Sequence, residues 1–442
     1  MIKGYNKEMT VDQKQSLTQS PGQASRQPKP GFPKHFLWGA ATASHQVEGG
    51  NHNQWSVWEL ENAKAKAAQA EYRYGDYPSW DFVQNAAKDP DNYVSGDLAD
   101  HYNRYKEDFD FLTKMNMNAY RFSIEWSRVE PKEGAWNVEA ITHYKDYLAE
   151  LRKREIEPVV TLFHFTLPTW FTDMGGFEKR ANVKYFVRYA EKIVHELGGD
   201  MRYIITINEP EVYAFESYYL QEWPPNQNSI WKYLRVINNL AYGHKKAAKI
   251  IHSMNRKYRV SIAKNSAYAY PGDSAWLSRL SANVIQYFQD DFVIKKFVKS
   301  CDFLGVNYYF TNRVYGYRIH NPDVKTSDLH WDLQPADIEF VIERLNRKYK
   351  LPIMITENGL ADAKDQNREW WIKETIIGIQ KSIAAGSEVL GYMHWSLMDN
   401  FEWAYGKWPR FGLVAVDYKT GRRILRPSAA WYGRVIKKLR GL

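Results

Sequence analysis

Eight short apolar runs, each bounded by polar or turn-forming residues, recur along the chain: Phe36 to Ala41, Ala119 to Ser123, Pro158 to Phe163, Tyr203 to Asn208, Arg259 to Lys264, Phe303 to Tyr309, Ile353 to Glu357 and Val389 to Trp395. Their length and their Val, Ile, Phe and Tyr content suit strands buried on both faces. Longer amphipathic stretches separate them. Asp108 to Met115 and Val183 to Leu197 place apolar residues at helical spacing. Buried strands alternating with helices imply a parallel sheet with crossover helices, and eight such units close into a single (β/α)8 TIM barrel of the α/β class. Two segments, Glu61 to Asp100 and Asn312 to Pro335, lack a clear period. They are expected to be long strand-to-helix loops at the carboxyl edge of the barrel.

Residues 1–30 are rich in Gln, Ser, Lys and Pro and show no periodicity. A flexible polar N-terminal tail is expected there, with the barrel domain occupying 31–442.

Unusual polar residues gather at the ends of the runs. Two runs end in glutamates: Thr206-Ile207-Asn208-Glu209-Pro210 and Ile355-Thr356-Glu357-Asn358-Gly359. Strands of a parallel barrel deliver such side chains to one pocket, and a facing pair of carboxyl groups suits glycosidic bond cleavage. A lone glutamate after a strand could instead cap the next helix, but two in these contexts point to chemistry. Other run ends supply Gln46, Arg121, His164, Asn307, Tyr309, Trp395, Glu402 and Trp403.

Composition sharpens the picture. Aromatic residues make up 15% of the chain, with 17 Trp and 31 Tyr. Sugar rings have apolar faces that lie on aromatic rings, so the excess suits a carbohydrate cleft. The net charge of +9 is dispersed, and no nucleic-acid motif accompanies it, so no nucleic-acid partner is expected. No stretch reaches the roughly 18 to 20 apolar residues of a membrane span, so no membrane partner is expected. A single cysteine, Cys301, excludes an intramolecular disulfide. With no apolar leader near the N-terminus, this points to a cytoplasmic location. No metal-ligand spacing stands out among the 12 His.

With these motifs in order on seven of the eight runs, the sequence from about Phe32 onward resembles glycoside hydrolase family 1, the retaining β-glycosidases. The resemblance implies a β-linked di- or oligosaccharide, or an aryl or alkyl β-glycoside, as substrate, and no cofactor. It assigns Glu209 as acid/base and Glu357 as nucleophile, with Arg121 and Tyr309 flanking the nucleophile. It places Gln46, His164, Asn208 and Glu402 on hydroxyls of the cleaved sugar, Trp395 beneath its ring and Trp403 beside it. Trp331 resembles the aromatic lining the leaving-group side, and Asn307 joins the substrate-binding set. Glucosides are expected to be the main substrates, with galactoside and fucoside side activity.

Two departures from the family pattern are notable. His45 stands where an aromatic is usual and is expected to be structural. Phe165 stands where a Trp usually follows the His, and a phenyl ring cannot donate to a sugar hydroxyl as an indole can. Two alternatives stay open: a 6-phospho-β-glycosidase on the same fold, and a non-catalytic sugar-binding relative. Against the first, the charge of Glu402 occupies the position where a phosphate would be read. Against the second, both glutamates and their supporting residues are present.

Overall fold

The computed structural model describes residues 31–322 and 324–442. The tail expected over 1–30 lies outside the described residues. Eight parallel strands close into a barrel: β1 (Leu37–Ala41), β2 (Ala119–Ser123), β3 (Glu157–Phe163), β4 (Tyr203–Asn208), β5 (Arg259–Asn265), β6 (Leu304–Asn307), β7 (Ile353–Glu357) and β8 (Val389–Trp395). Each matches one of the eight apolar runs to within a few residues. All residues of β2, β4 and β7 are buried, which is why these strands are continuously apolar rather than alternating. The ring closes where β1 pairs with β8, in the register Leu37↔Gly391 through Ala41↔Trp395.

Helices sheathe the barrel. The helical spacing read over Val183 to Leu197 is realised as the helix Val183–Leu197, which turns Phe186, Tyr189, Ala190, Ile193 and Val194 inward. The run Asp108 to Met115 forms the second half of the helix His101–Lys114.

The two aperiodic segments differ from expectation. Residues 61–100 are largely helical: Gln54–Ala68, Ala70–Tyr74, Trp80–Ala87 and the 3-10 turn Pro90–Tyr93. The first of these helices begins with a reciprocal cap between Asn53 and Ser56 and is filled with Ala, Lys, Glu and Gln, which favour helix without any apolar stripe. Trp55 and Trp58 anchor it instead. Within 312–335, the strands Thr311–Tyr315 and Arg318–Ile319 form a hairpin that joins Tyr268–Pro271 in a three-stranded sheet. Among the described residues, no helix is long and apolar enough to cross a membrane.

Candidate active site

The side chains singled out at the run ends converge at the carboxyl mouth of the barrel. Glu357 is the last residue of β7, and its backbone oxygen accepts from Tyr308 N (2.9 Å). Gly359 follows almost at once, because the chain here runs against β8: a Cβ at that position would sit 1.7 Å from the carbonyl oxygen of Trp395. Asn358 secures the crossing. Its amide nitrogen donates to Tyr308 O (2.7 Å), while its oxygen accepts from Trp371 Nε1 (2.9 Å) and Tyr392 OH (3.0 Å).

Glu209 emerges from β4 by a sharper turn. It sits in the left-handed region at φ 40°, its N–H donates to Ala263 O (2.8 Å), and Pro210 opens the helix Pro210–Tyr218, where a missing N–H has no cost. A non-glycine residue held in this region costs on the order of 1–3 kcal/mol. Phe165 (φ 70°) and Trp403 (φ 47°) share the same strain. All three flank the pocket.

The two carboxyl groups sit in one hydrogen-bonded network. Arg121, on β2, donates to Glu357 Oε1 (2.5 Å), to Asn208 Oδ1 (2.7 Å) and to Thr161 Oγ1 (3.1 Å). Tyr309 OH donates to the other oxygen, Glu357 Oε2 (2.8 Å). Asn307, at the end of β6, accepts from Thr356 Oγ1 (2.7 Å) through its side-chain oxygen. That leaves its NH2 to donate to Glu209 Oε1 (2.7 Å) and Asn208 Oδ1 (3.2 Å). Glu209 Oε1 is thereby an acceptor, so a proton on this carboxyl belongs on Oε2.

The same logic orients His164. With Asn208 Oδ1 accepting from both Arg121 and Asn307, the Asn208 NH2 faces His164 Nε2 (3.1 Å). Burial and the Arg121 charge push the imidazole well below its ordinary pKa, so it is neutral. Nε2 accepts, and Nδ1 carries the proton and has no protein partner among the described residues. Among the residues expected to meet the sugar, two further buried atoms share that condition, Gln46 Oε1 and Glu402 Oε2. Gln46 is locked by donating to Phe401 O (2.7 Å) and Asn400 Oδ1 (3.1 Å). One donor, one acceptor and one carboxyl oxygen that can do either, each costly to leave unpaired, are suited to hydroxyl groups.

Aromatic rings form the walls. His164 lies near-parallel to Trp395 (6.0 Å, 21°) and to Trp403 (6.1 Å, 17°). Trp331 packs edge-on against Tyr309 (5.7 Å). Phe165 fits between Trp223 (4.8 Å) and Trp403 (5.1 Å). His45 has both nitrogens committed to protein, to Glu59 Oε1 (2.7 Å) and Asn53 (3.1 Å), as a structural residue should. Cys301 is buried and far from its reactive form, its thiol pushed up to about 12 by burial.

Electrostatics separate the two glutamates. Burial pushes both up. For Glu357 the Arg121 charge and the Tyr309 hydroxyl oppose that push. For Glu209 the charge of Glu357 adds to it, and it rises well above the usual carboxylate range. Glu357 therefore loses its proton first, and Glu209 keeps one. Burial and the Glu357 charge also push Glu402 up, to about 8. This corrects the expectation of a fixed charge there: below that pH the Glu402 carboxyl is mostly neutral.

Two residues of the site carried no motif. Lys264, fully buried on β5, pairs with Glu211 Oε1 (2.9 Å) and Asp290 Oδ1 (3.5 Å), and its charge opposes the rise of Glu209. Glu125 gathers Ser44 Oγ (2.9 Å), Thr166 Oγ1 (2.9 Å) and Ser127 Oγ (2.7 Å), tying together the segments that follow β1, β2 and β3. A lysine interrupting an apolar strand was the available signal for the first.

Comparison with known proteins agrees with the geometry. The sequence model of glycosyl hydrolase family 1 matches residues 29–299 and 285–440. β-Glucosidase A of Thermotoga maritima is 30% identical over 457 residues, spanning 92% of this chain and 98% of its own. A 6-phospho-β-galactosidase of Clostridium acetobutylicum is 28% identical over 479 residues, spanning 91% and 96%. Among solved structures, the β-glycosidase from Pyrococcus horikoshii superposes with a TM-score of 0.81 at 33% identity, covering 93% of this chain and 96% of its own. The chain belongs to glycosyl hydrolase family 1.

Proposed function

We propose that this glycoside hydrolase releases terminal β-D-glycosyl residues by double displacement, with β-glucosides as its main substrates. The observation that carries the reading is the contrast between two buried carboxyl groups in one network: Glu357 held by Arg121 and Tyr309, and Glu209 raised well above the usual range. In the first step the Glu357 carboxylate attacks the anomeric carbon. The glycosidic C–O bond breaks and the leaving oxygen takes the proton from Glu209 Oε2. Glycosylation removes the charge of Glu357, so the pKa of Glu209 falls. In the second step Glu209 takes a proton from water, whose oxygen attacks the same carbon and frees Glu357. His164 Nδ1, Gln46 Oε1 and Glu402 Oε2 are the proposed partners of the sugar hydroxyls, with Trp395 and Trp403 as ring surfaces and Trp331 on the leaving-group side. Asn208, beside the acid/base, is the proposed partner of the 2-hydroxyl. The reading takes 31–442 as one barrel domain. It also places the enzyme in a reducing, cytoplasmic compartment, on the single buried free thiol of Cys301.

Azide tests the roles. In Glu209→Ala, a substrate with a good leaving group still glycosylates Glu357, and azide, which needs no base, should accelerate turnover and yield the β-glycosyl azide. In Glu357→Ala, azide should displace the leaving group once and yield the α-azide. Exchanged anomers would reverse the assignment.

Selectivity follows from Glu402, whose carboxyl can adapt to an equatorial or axial 4-hydroxyl, and from Phe165, which offers no donor. Galactosides and fucosides are therefore expected as slower substrates. Phe165→Trp should raise the glucoside to galactoside ratio of kcat/KM by less than about tenfold, because the larger ring must also fit between Trp223 and Trp403. An unchanged ratio would remove the missing donor from the account. The likeness to a 6-phospho-β-galactosidase keeps one rival reading. Hydrolysis of aryl 6-phosphoglucosides in preference to plain aryl glucosides would favour it.

A further inference from the structure

The helix Trp276–Gln286 is built inside out. Its buried positions are Ser278, Ala282 and Gln286, small or polar residues spaced four apart. Its solvent side carries Trp276, Leu280, Val284 and Phe288 at the same spacing, with Leu277 and Tyr287 alongside. Trp276 is 70% exposed and Phe288 61%. A surface helix ordinarily turns such a stripe to the core.

Nor is the stripe isolated. Ser278 Oγ accepts from Gly316 N (2.7 Å) in the turn of the adjoining hairpin, and that hairpin presents Tyr317, 73% exposed, and Ile319, 50% exposed. The hairpin turn also adjoins the exposed Leu277, whose Cδ2 lies 4.0 Å from where a Cβ on Gly316 would sit, so the two elements present neighbouring apolar side chains.

The surroundings are cationic. Arg279 is exposed on the flank of the helix, Lys295 Nζ lies 4.9 Å over the Tyr287 ring, Lys296 follows it, and Arg318 lies 5.6 Å over the Tyr317 ring. Among the described residues none of these four forms an ion pair; Lys296 bonds only the Asn238 amide (2.9 Å). The acidic residues nearby are otherwise engaged. Asp273 caps the turn at Ala275 N (3.0 Å), and Asp290 and Asp291 are buried against Lys264, Arg344 and Lys348.

We propose that this face, formed by the helix Trp276–Gln286 and the Tyr317–Ile319 hairpin tip, docks on an anionic lipid bilayer surface. Charge decides against a second copy of the chain: a twofold pairing through this stripe would bring Arg279, Lys295 and Arg318 towards their own counterparts. A layer of anionic headgroups offers each a partner while the apolar side chains enter the boundary beneath. Exposed Trp and Tyr rings suit that boundary, with an apolar body and a polar edge. Such docking needs no spanning segment.

Cosedimentation of the full chain with vesicles tests this. Vesicles containing phosphatidylglycerol should retain the protein, pure phosphatidylcholine should retain it about tenfold less, and high salt should release it. The triple variant Trp276→Ser/Leu280→Ser/Phe288→Ser should lose at least about tenfold in partitioning while keeping wild-type hydrolysis of an aryl glucoside, since these residues lie outside the pocket. Equal retention of wild type and triple variant, or no retention of wild type, would overturn the proposal. So would a dimer in sedimentation velocity that dissociates in the triple variant.

Discussion

The end of β7 and the end of β4 both offer a buried glutamate to the same pocket, yet their surroundings differ in kind. Glu357 meets a guanidinium on one oxygen and a phenol on the other. Glu209 meets one neutral amide, and its compensating cation, Lys264, is engaged by Glu211 and Asp290 instead. Identical side chains at similar depth thus diverge in proton affinity because of what the neighbouring strands supply. Strand β2 gives Glu357 a charge, β6 gives Glu209 a dipole, and β5 holds a charge at one remove.

Removing the charge should matter most. Arg121→Met removes the largest of the groups that oppose burial and leaves the Tyr309 hydroxyl, so the pKa of Glu357 rises and the acid limb of the kcat/KM profile moves to higher pH by about one unit or more. The fall in kcat/KM should exceed about 100-fold, because the Asn208 anchor is lost with it. An unmoved acid limb would break the contrast. Asn307→Ala removes a bond that favours ionised Glu209. The alkaline limb should then move to higher pH, farther than the acid limb, with kcat/KM down about tenfold. An acid limb that moves farther would mean the dipole serves Glu357 instead. Lys264→Met should disturb the profile least. Losing the cation raises Glu209, but uncompensated Glu211 then takes up a proton and its own repulsion of Glu209 disappears. The larger effect should be on stability, on the order of 3 kcal/mol in urea unfolding, with most of it recovered in Lys264→Met/Glu211→Gln. A profile that shifts as far as in Asn307→Ala would place Lys264 in direct control of the acid.

That Lys264 is harder to read from the sequence than Glu357 has a physical basis. Strand ends reveal themselves because an apolar run must stop where polar atoms begin, and all eight barrel strands were legible on that account. Glu209, Glu357 and Tyr309 stand at such ends, whereas Arg121 is the middle residue of β2. A buried lysine inside a strand is legible only through its partners, and Glu211 and Asp290 come from distant segments. The helix Gln54–Ala68 was hidden for another reason: two tryptophans anchor it, so no apolar period exists to read. The 25-residue helix Ile230–Met254 is not among the helices read from the sequence, although Val236, Ile237, Leu240, Ala241, Ala247, Ala248 and Ile251 bury one face at helical spacing. The tautomer of His164 depends on two amides, Asn208 and Asn307, oriented by Arg121 and Thr356 on other strands, and had no sequence signal at all.

Barrel closure has a consequence for biosynthesis. Leu37 pairs with Gly391, and Ala41 with Trp395, so the first strand meets its last neighbour only after nearly the whole chain exists. At bacterial or eukaryotic elongation speeds of about 5 to 20 residues per second, β1 waits roughly 20 to 70 s with one edge unsatisfied. Its backbone, Leu-Trp-Gly-Ala-Ala, offers one unpaired edge throughout that interval. Yield of this enzyme in a heterologous host should therefore respond to the supply of ribosome-associated chaperones more than to the stability of the finished barrel.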